Sequence, residues 1–299
     1  MAFQWFTIAF GWAAVILFVA LAARKVYLYA TMPLNLRWEV YPVPHERGDR
    51  RGYGGSYMEQ VDWAGEPPRP AGRGGELREM ASEILLLQRV REHNPYGLWP
   101  LSLALHWGIY LLLFWLALLV AANWLPALTW PAVAAGGAAL VLGVGGAGGL
   151  IVRRASRHAL ALYTTPVDYF NLAFLAAIFG LGLVSWAIDP LFSQHQAYLV
   201  SLLTFRPAPT APLVLAMFFL LQAFAIYMPF SKLLHYIMKH FTFHETLWDD
   251  AFRRKGSRAD RLAARQLSYR VTWAGPHIVT GQSWQEEVRE RSPGSEAAP

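Results

Sequence analysis

Long uninterrupted runs of apolar residues dominate the pattern of the chain. Five of them reach the length of about 20 residues that a helix needs to cross the hydrocarbon core of a bilayer. These runs cover residues 3–29, 98–124, 130–152, 167–188 and 213–238. Trp and Tyr lie near several of their ends, which is typical of the headgroup layer. The pattern therefore predicts an all-α integral membrane protein, a bundle of five transmembrane helices.

The basic residues predict how this bundle is oriented. Of the 26 Lys and Arg residues, 25 lie in or beside the segments 31–97, 153–166 and 239–299, and Arg206 is the exception. Five crossings place these three segments on one side of the membrane. Because basic residues concentrate on the cytoplasmic side, we expect the amino terminus outside and the carboxyl terminus in the cytoplasm. The expected location is the cytoplasmic (inner) membrane, crossed several times.

The segments between and after the spans predict the domain organisation. Residues 1–245 form the expected membrane domain, with the cytoplasmic loop at 31–97, and residues 246–299 form a cytoplasmic tail expected to dock a partner. Within the loop, the pattern at 76–91 predicts a short cytoplasmic or interfacial helix. Seven glycines between Gly136 and Gly149 predict that the third span packs closely against other helices.

The residue composition excludes several kinds of functional site. Hydrophobic residues make up 55% of the chain and charged residues 15%, and there is no cysteine. A disulfide framework, a Cys-ligated zinc or iron–sulfur centre and a thiol nucleophile are therefore excluded from this chain. The net charge of +6 reflects topology, and no basic stripe with interleaved aromatic residues predicts nucleic-acid binding. Redox chemistry would need a cofactor held by other side chains, or a partner subunit.

Two histidines fall inside the predicted spans. By a rise of 1.5 Å per residue, His106 lies about 12 Å inside the second span and His235 about 5 Å inside the fifth, both from the cytoplasmic side. Two imidazoles from different helices in one layer are what a six-coordinate haem b requires. Pro229 permits a bend that would aim His235. Basic residues at the same edge are candidates for pairing with haem propionates: Lys232, Arg24, Arg153 and Arg154.

Other interpretations of this histidine pair remain open at this point. His106 and His235 could hydrogen-bond to backbone carbonyls, or to each other, without any cofactor. A zinc site would need a third or fourth ligand, and none is evident in the same layer. A transporter or channel would show intramembrane acids, broken helices or internal repeats, which the spans hardly display. No residue is predicted to be catalytic.

Several segments resemble a known family. LALHWGIY around His106, TTPVDYFNL, YLVSLLTFRP and YMPFSKLLHYI around His235 resemble the gamma subunit of respiratory nitrate reductase. RWEVYPVPHE and VTWAGPHI are more similar to related membrane cytochrome b subunits. Those subunits pair with heterodisulfide-reductase-like iron–sulfur proteins, as in the complexes associated with dissimilatory sulfite reduction. The resemblance covers roughly residues 1–245.

The resemblance implies a quinol-reactive cytochrome b, an electron-transfer subunit that anchors a cytoplasmic iron–sulfur partner of a larger oxidoreductase. His106 and His235 match the ligands of the family's haem nearer the cytoplasm. The family's second haem would need histidines at positions that hold Leu116 and Met217 here. One haem b is therefore expected, with quinone as the substrate. The loss of these two ligands also motivates an alternative, a haem-free structural anchor for a redox complex.

Overall fold

The structure, a computed structural model, describes residues 2–31, 73–241, 256, 258–273, 278 and 280–290. The named secondary-structure elements in this part of the chain are all helices. Five helical stretches are long and apolar enough to cross a membrane, and they span Ala2–Thr31, Trp99–Ala122, Pro126–Ser156, Pro166–Ile188 and Pro212–Phe230. The prediction of a multi-span helical membrane protein with five candidate spans is confirmed. RWEVYPVPHE lies outside the described residues.

Twelve α-helices are numbered here over the described residues. The spans contain α1 (Ala2–Thr31), α4 (Trp99–Ala122), α5 (Thr129–Ser156), α7 (Pro166–Ile188) and α9 (Pro212–Tyr227). The shorter helices are α2 (Arg73–Leu85), α3 (Gln88–His93), α6 (His158–Ala161), α8 (Ser193–Thr204), α10 (His235–Lys239), α11 (Arg258–Leu267) and α12 (Trp284–Glu290).

The chain forms two compact units, and the first comprises residues 1–25 and 77–236. In this unit α5 packs between α4 and α7, and α7 packs on α9. The spans alternate in direction, so the start of α4 and the end of α9 lie at the same end of the bundle. We call this the His106 end, because His106 is on the second turn of α4. The opposite end carries α8, which packs on α4.

Glycines on α5 bring its neighbours unusually close, as the sequence predicts. A Cβ atom added to Gly146 would lie 2.4 Å from the backbone nitrogen of Leu105 on α4. One added to Gly143 would lie 2.4 Å from the buried ring of Phe179 on α7. Small residues permit such backbone approach, and α5 is thereby the central helix of the bundle.

The predicted helix at 76–91 is two helices rather than one. α2 ends at Leu85 and α3 begins at Gln88, with Leu87 between them in the left-handed conformation (φ 49°, ψ 47°). The buried carboxylate of Glu83 accepts the backbone N–H of Arg89 (2.8 Å), which satisfies a donor in the first turn of α3. The break follows from this tertiary contact, because no glycine or proline marks it.

The fifth predicted span, which extends to Met238, also differs from the structure. α9 ends at Tyr227, two 3₁₀ turns follow at Met228–Phe230 and Lys232–Leu234, and α10 begins at His235. Pro229 has no N–H to donate, and Ser231 is extended (φ −113°, ψ 170°). The Ser231 hydroxyl oxygen accepts the N–H of Leu233 (3.2 Å). His235 thus lies past the end of the apolar span, and not inside it.

The second unit comprises residues 26–76 and 237–299. Its described tail contains α11 and α12, and between them Arg270 and Ser283 form an antiparallel bridge, with the Val271 N–H donating to the carbonyl of Gln282 (2.8 Å). Ser283 and Glu286 form a reciprocal cap at the start of α12, since Glu286 Oε2 accepts the Ser283 N–H (2.7 Å). The described part of the tail therefore has local helical structure.

Candidate functional site

The structure brings together the two histidines that the sequence singles out. His106 and His235 are separated by more than one hundred residues in the chain, yet their ring centroids are 6.1 Å apart, with the planes at 74°. His106 is half-buried, whereas His235 is exposed on the turn after α9. Tyr110, one turn further along α4, contacts the His106 ring edge to face (6.3 Å).

Both imidazoles are oriented by backbone carbonyls. His106 Nδ1 lies 2.7 Å from the carbonyl oxygen of Ser102, one turn earlier on α4. His235 Nδ1 lies 3.2 Å from the carbonyl oxygen of Lys232. A carbonyl can only accept, so Nδ1 carries the proton in each neutral ring and Nε2 carries the lone pair. This is the arrangement by which proteins orient metal-ligating histidines.

The separation of the two rings is compatible with both of them binding one metal ion. A metal–nitrogen bond to histidine is about 2 Å long, so two imidazoles on opposite sides of one ion have their ring centres about 6 Å apart. The observed separation is 6.1 Å. Among the described residues, no group of three or more His, Cys, Asp or Glu could hold a metal ion. The two imidazoles are therefore the donors that the described residues offer here.

Lys232 is tied to the start of α7. Its ammonium group forms an ion pair with Asp168 Oδ1. The other carboxylate oxygen of Asp168 accepts the N–H of Thr165 (2.9 Å), which completes a capping box at the start of α7. One carboxylate thus caps α7 and holds the turn that carries His235. Lys232 thereby helps to position His235. A haem propionate would have to compete with Asp168 for the ammonium group of Lys232.

Two of the three arginines predicted to contact propionates are bonded to protein groups, and the third is exposed. Arg153 Nε donates to the carbonyl of Tyr96 (3.1 Å), and Arg154 donates to the hydroxyl of Thr164 (3.4 Å). Both lie at the carboxyl end of α5, at the His106 end of the bundle. Arg24 is exposed near the end of α1. Their role toward propionates stays a prediction.

A third histidine, which sequence reasoning missed, is buried at the opposite end of the bundle. His195 on α8 is fully buried against the rings of Trp115, Phe192 and Phe218. The Ser185 hydroxyl donates to a backbone carbonyl, so its oxygen accepts from His195 Nε2–H (2.9 Å). The burial of His195 has one signal in the sequence. Tyr198 and Ser201, which are also buried, follow His195 by three and six residues and so mark one face of a short helix.

Buried side chains fill the two positions that the resemblance assigns to a second haem. Met217 is fully buried, and Leu116 packs against the same apolar core. A Cβ atom on Gly182 would meet both Leu140 (2.4 Å) and the methyl of Met217 (3.3 Å). The region between α5, α7 and α9 is therefore close-packed at this level.

Burial of His195 predicts acid sensitivity. Burial lowers the pKa of His195 from 6.5 to about 4, and the Asp189 carboxylate opposes this only in part. As the pH falls, His195 therefore becomes protonated in the unfolded chain before it does in the folded protein. Its contribution to the free energy of unfolding is complete above pH 6.5 and is lost as the pH falls toward about 4. The loss amounts to at most about 3 kcal/mol.

Thermal unfolding of the detergent-purified protein across this pH range measures the effect. In His195→Leu the unfolding temperature should depend less on pH. In the control His93→Ala, which removes an exposed histidine, it should depend on pH as in the wild type. An unchanged slope in His195→Leu would show that another group is responsible.

Comparison of the chain with protein-family models, curated proteins and solved structures finds no match. The resemblance of the quoted segments to the nitrate reductase gamma subunit and its relatives therefore stays a prediction. The histidine geometry stands independently of it.

Proposed function

We propose that this protein is a membrane cytochrome b subunit that transfers electrons between the quinone pool and a cytoplasmic iron–sulfur partner. The observation that carries the proposal is the His106–His235 pair, two imidazoles 6.1 Å apart on separate elements. The Nδ1 bonds to backbone carbonyls are also expected of a pair without a cofactor, so the closeness of the two rings is what favours a haem. Two such oriented Nε2 atoms are suited to one haem b.

In this proposal the chain supplies orientation and surroundings for the cofactor. Ser102 and Lys232 carbonyls fix the tautomer and direction of the two rings, which also raises their basicity as ligands. The Asp168–Lys232 ion pair holds the turn before His235 in place. Haem b, when bound, supplies one-electron transfer. The apolar helices beside the half-buried His106 would lower the dielectric on that side of the cofactor, whereas His235 is exposed.

The proposed orientation rests on charge. Arg24, Lys232, Arg153 and Arg154 all belong to the His106 end of the bundle, where the basic segments of the sequence begin and end. The positive-inside rule makes this the cytoplasmic face of the inner membrane, with the amino terminus outside. The haem would then lie close to the cytoplasm, within reach of a soluble partner.

A single haem is proposed because the second position offers no ligand pair. Leucine at 116 has no donor atom, and Met217 is enclosed in the apolar core. Electrons must leave through another chain, since this one has no cysteine to hold an iron–sulfur cluster. A heterodisulfide-reductase-like iron–sulfur protein, docked on the loop 31–97 and the tail 246–299, would provide that route. All of residues 32–72 and parts of the tail lie outside the described residues.

Reduction of the bound haem by quinol tests the electron-transfer role. Purified protein in lipid nanodiscs is mixed anaerobically with a reduced menaquinone or ubiquinone analogue, and the haem α-band is followed by stopped flow. We expect reduction within seconds. The matched control is the same protein with the oxidised quinone.

Haem that is reduced by dithionite but not by quinol would contradict the quinone half of the proposal. A colourless protein would support the alternative of a haem-free anchor, which the protein partners of Lys232, Arg153 and Arg154 favour.

A further inference from the structure

The carboxyl end of α2 is attached to the side of a membrane span. The indole N–H of Trp99 donates to the carbonyl of Leu86 (2.7 Å), and that of Trp107 donates to the carbonyl of Leu85 (3.0 Å). The Tyr110 hydroxyl donates to the carbonyl of Ile84 (3.0 Å). Three consecutive carbonyls of one segment thus have their donors on α4.

These carbonyls are ones that a helix end leaves without partners. The last four carbonyls of an α-helix have no intrahelical donor, and in water the solvent satisfies them. In a bilayer no water is present, so every such group needs a protein donor. Long side chains of α4 supply these donors here, which a solvated helix end would not require.

The donors define a lipid-facing surface of α4. Trp107, Tyr110 and Phe114 follow one another by three and four residues, so they share one face of the helix. Phe114 is 55% exposed on a helix apolar enough to span the membrane. From Trp99 to Tyr110 this surface extends about 17 Å along the span. The end of α2 therefore lies beside the part of α4 that faces lipid.

The side chains at the end of α2 are apolar and uncovered. Ile84, Leu85 and Leu86 are 49%, 44% and 50% exposed. Glu83, the charged residue next to them, is turned inward, where it accepts from Arg89 and leaves 8% of its surface exposed. Burial also lowers the pKa of Arg89 to about 10. Glu83 and Arg89 are thus turned toward the protein, and Ile84, Leu85 and Leu86 away from it.

We infer that residues 84–86 are inserted into the bilayer, and that the acyl chains of lipids cover their side chains. α2 is then a second kind of membrane element, an interfacial helix whose last turn enters the apolar layer beside α4. Trp99, Trp107 and Tyr110 act as its cap within lipid. This inference is independent of haem binding.

Site-directed spin labelling tests the inference, because the chain has no cysteine and each label is unique. A nitroxide is attached to Leu85→Cys, and in a second variant to Leu86→Cys, in full-length protein reconstituted into phosphatidylcholine vesicles. Power saturation then measures collisions with oxygen, which concentrates in lipid, and with a nickel chelate, which stays in water. Leu113→Cys on α4 is the lipid-facing reference, and the exposed Glu92→Cys on α3 is the aqueous reference.

Both labels should show the high oxygen and low nickel accessibility of the Leu113 reference, with a ratio several-fold above that of Glu92. Adding Trp107→Phe, which keeps the ring but removes the donor, should lower that ratio at Leu85. Values like those of Glu92 would overturn the inference. Labels shielded from both reagents would also overturn it, since a second copy of the chain would then cover the surface.

Discussion

Replacement of His106 or His235 by alanine should each abolish haem b in the purified protein, with a fall in haem content of at least tenfold. Each imidazole would supply one of two bonds from the protein to the iron, and the two rings lie on separate elements. Either substitution also removes the pair itself, in which the two ring centroids are 6.1 Å apart. Absorbance at the haem Soret band, normalised to protein, measures the effect.

Two controls separate ligation from misfolding. His158→Ala removes an exposed histidine at the same end of the bundle and should keep full haem content. Imidazole added during expression of His106→Ala should restore a low-spin haem spectrum, because a free imidazole can occupy the space of the missing ring. Full haem in both His→Ala variants would refute the ligand assignment, whereas loss without imidazole rescue would indicate a structural role for His106.

Gly146→Ala should destabilise the membrane domain by about 2–3 kcal/mol, because overpacking a close helix contact costs this much. The added methyl group would lie 2.4 Å from the backbone nitrogen of Leu105, and backbone cannot move aside as a flexible side chain can. α4 and α5 would have to separate along much of their length. Thermal unfolding in mild detergent, followed by circular dichroism, measures the loss.

Gly145 and Gly148 provide matched controls on the same helix. A Cβ atom at either position would have no neighbour within 4 Å. Alanine there should be neutral, or stabilising by up to about 1 kcal/mol, since alanine favours a helix over glycine. Equal losses in Gly145→Ala and Gly146→Ala would contradict the packing described for α4 and α5.

The five candidate spans could be predicted from the sequence because the requirement is simple. A bilayer needs about 20 apolar residues in a row, and the five runs satisfy it without reference to tertiary structure. The helix start at Thr165 was equally accessible, since its capping box is local. The abundance of glycine on α5 also predicted close packing. Which of two adjacent glycines, 145 or 146, meets α4 depends on how the helices cross.

The differences arise where distant residues decide the local structure. Leu87 adopts a left-handed conformation that no local signal announces, because Glu83 and the donors of α4 hold the segments on both sides. α8 is too short to register as a span, so the burial of His195 was missed. Pro229 indicated a bend, but the 3₁₀ turns and the Asp168–Lys232 pair that place His235 could not be read from spacing.

The haem content of the purified, intact protein tests the central proposal most directly. A pyridine haemochrome assay, with a reduced-minus-oxidised spectrum on the same sample, gives the type of haem and the number per chain. The proposal predicts one haem b per chain, held by His106 and His235. Absence of haem from folded protein would contradict it and leave a structural anchor. Two haems per chain would contradict the single-haem assignment, because Leu116 and the buried Met217 would not then mark a lost site.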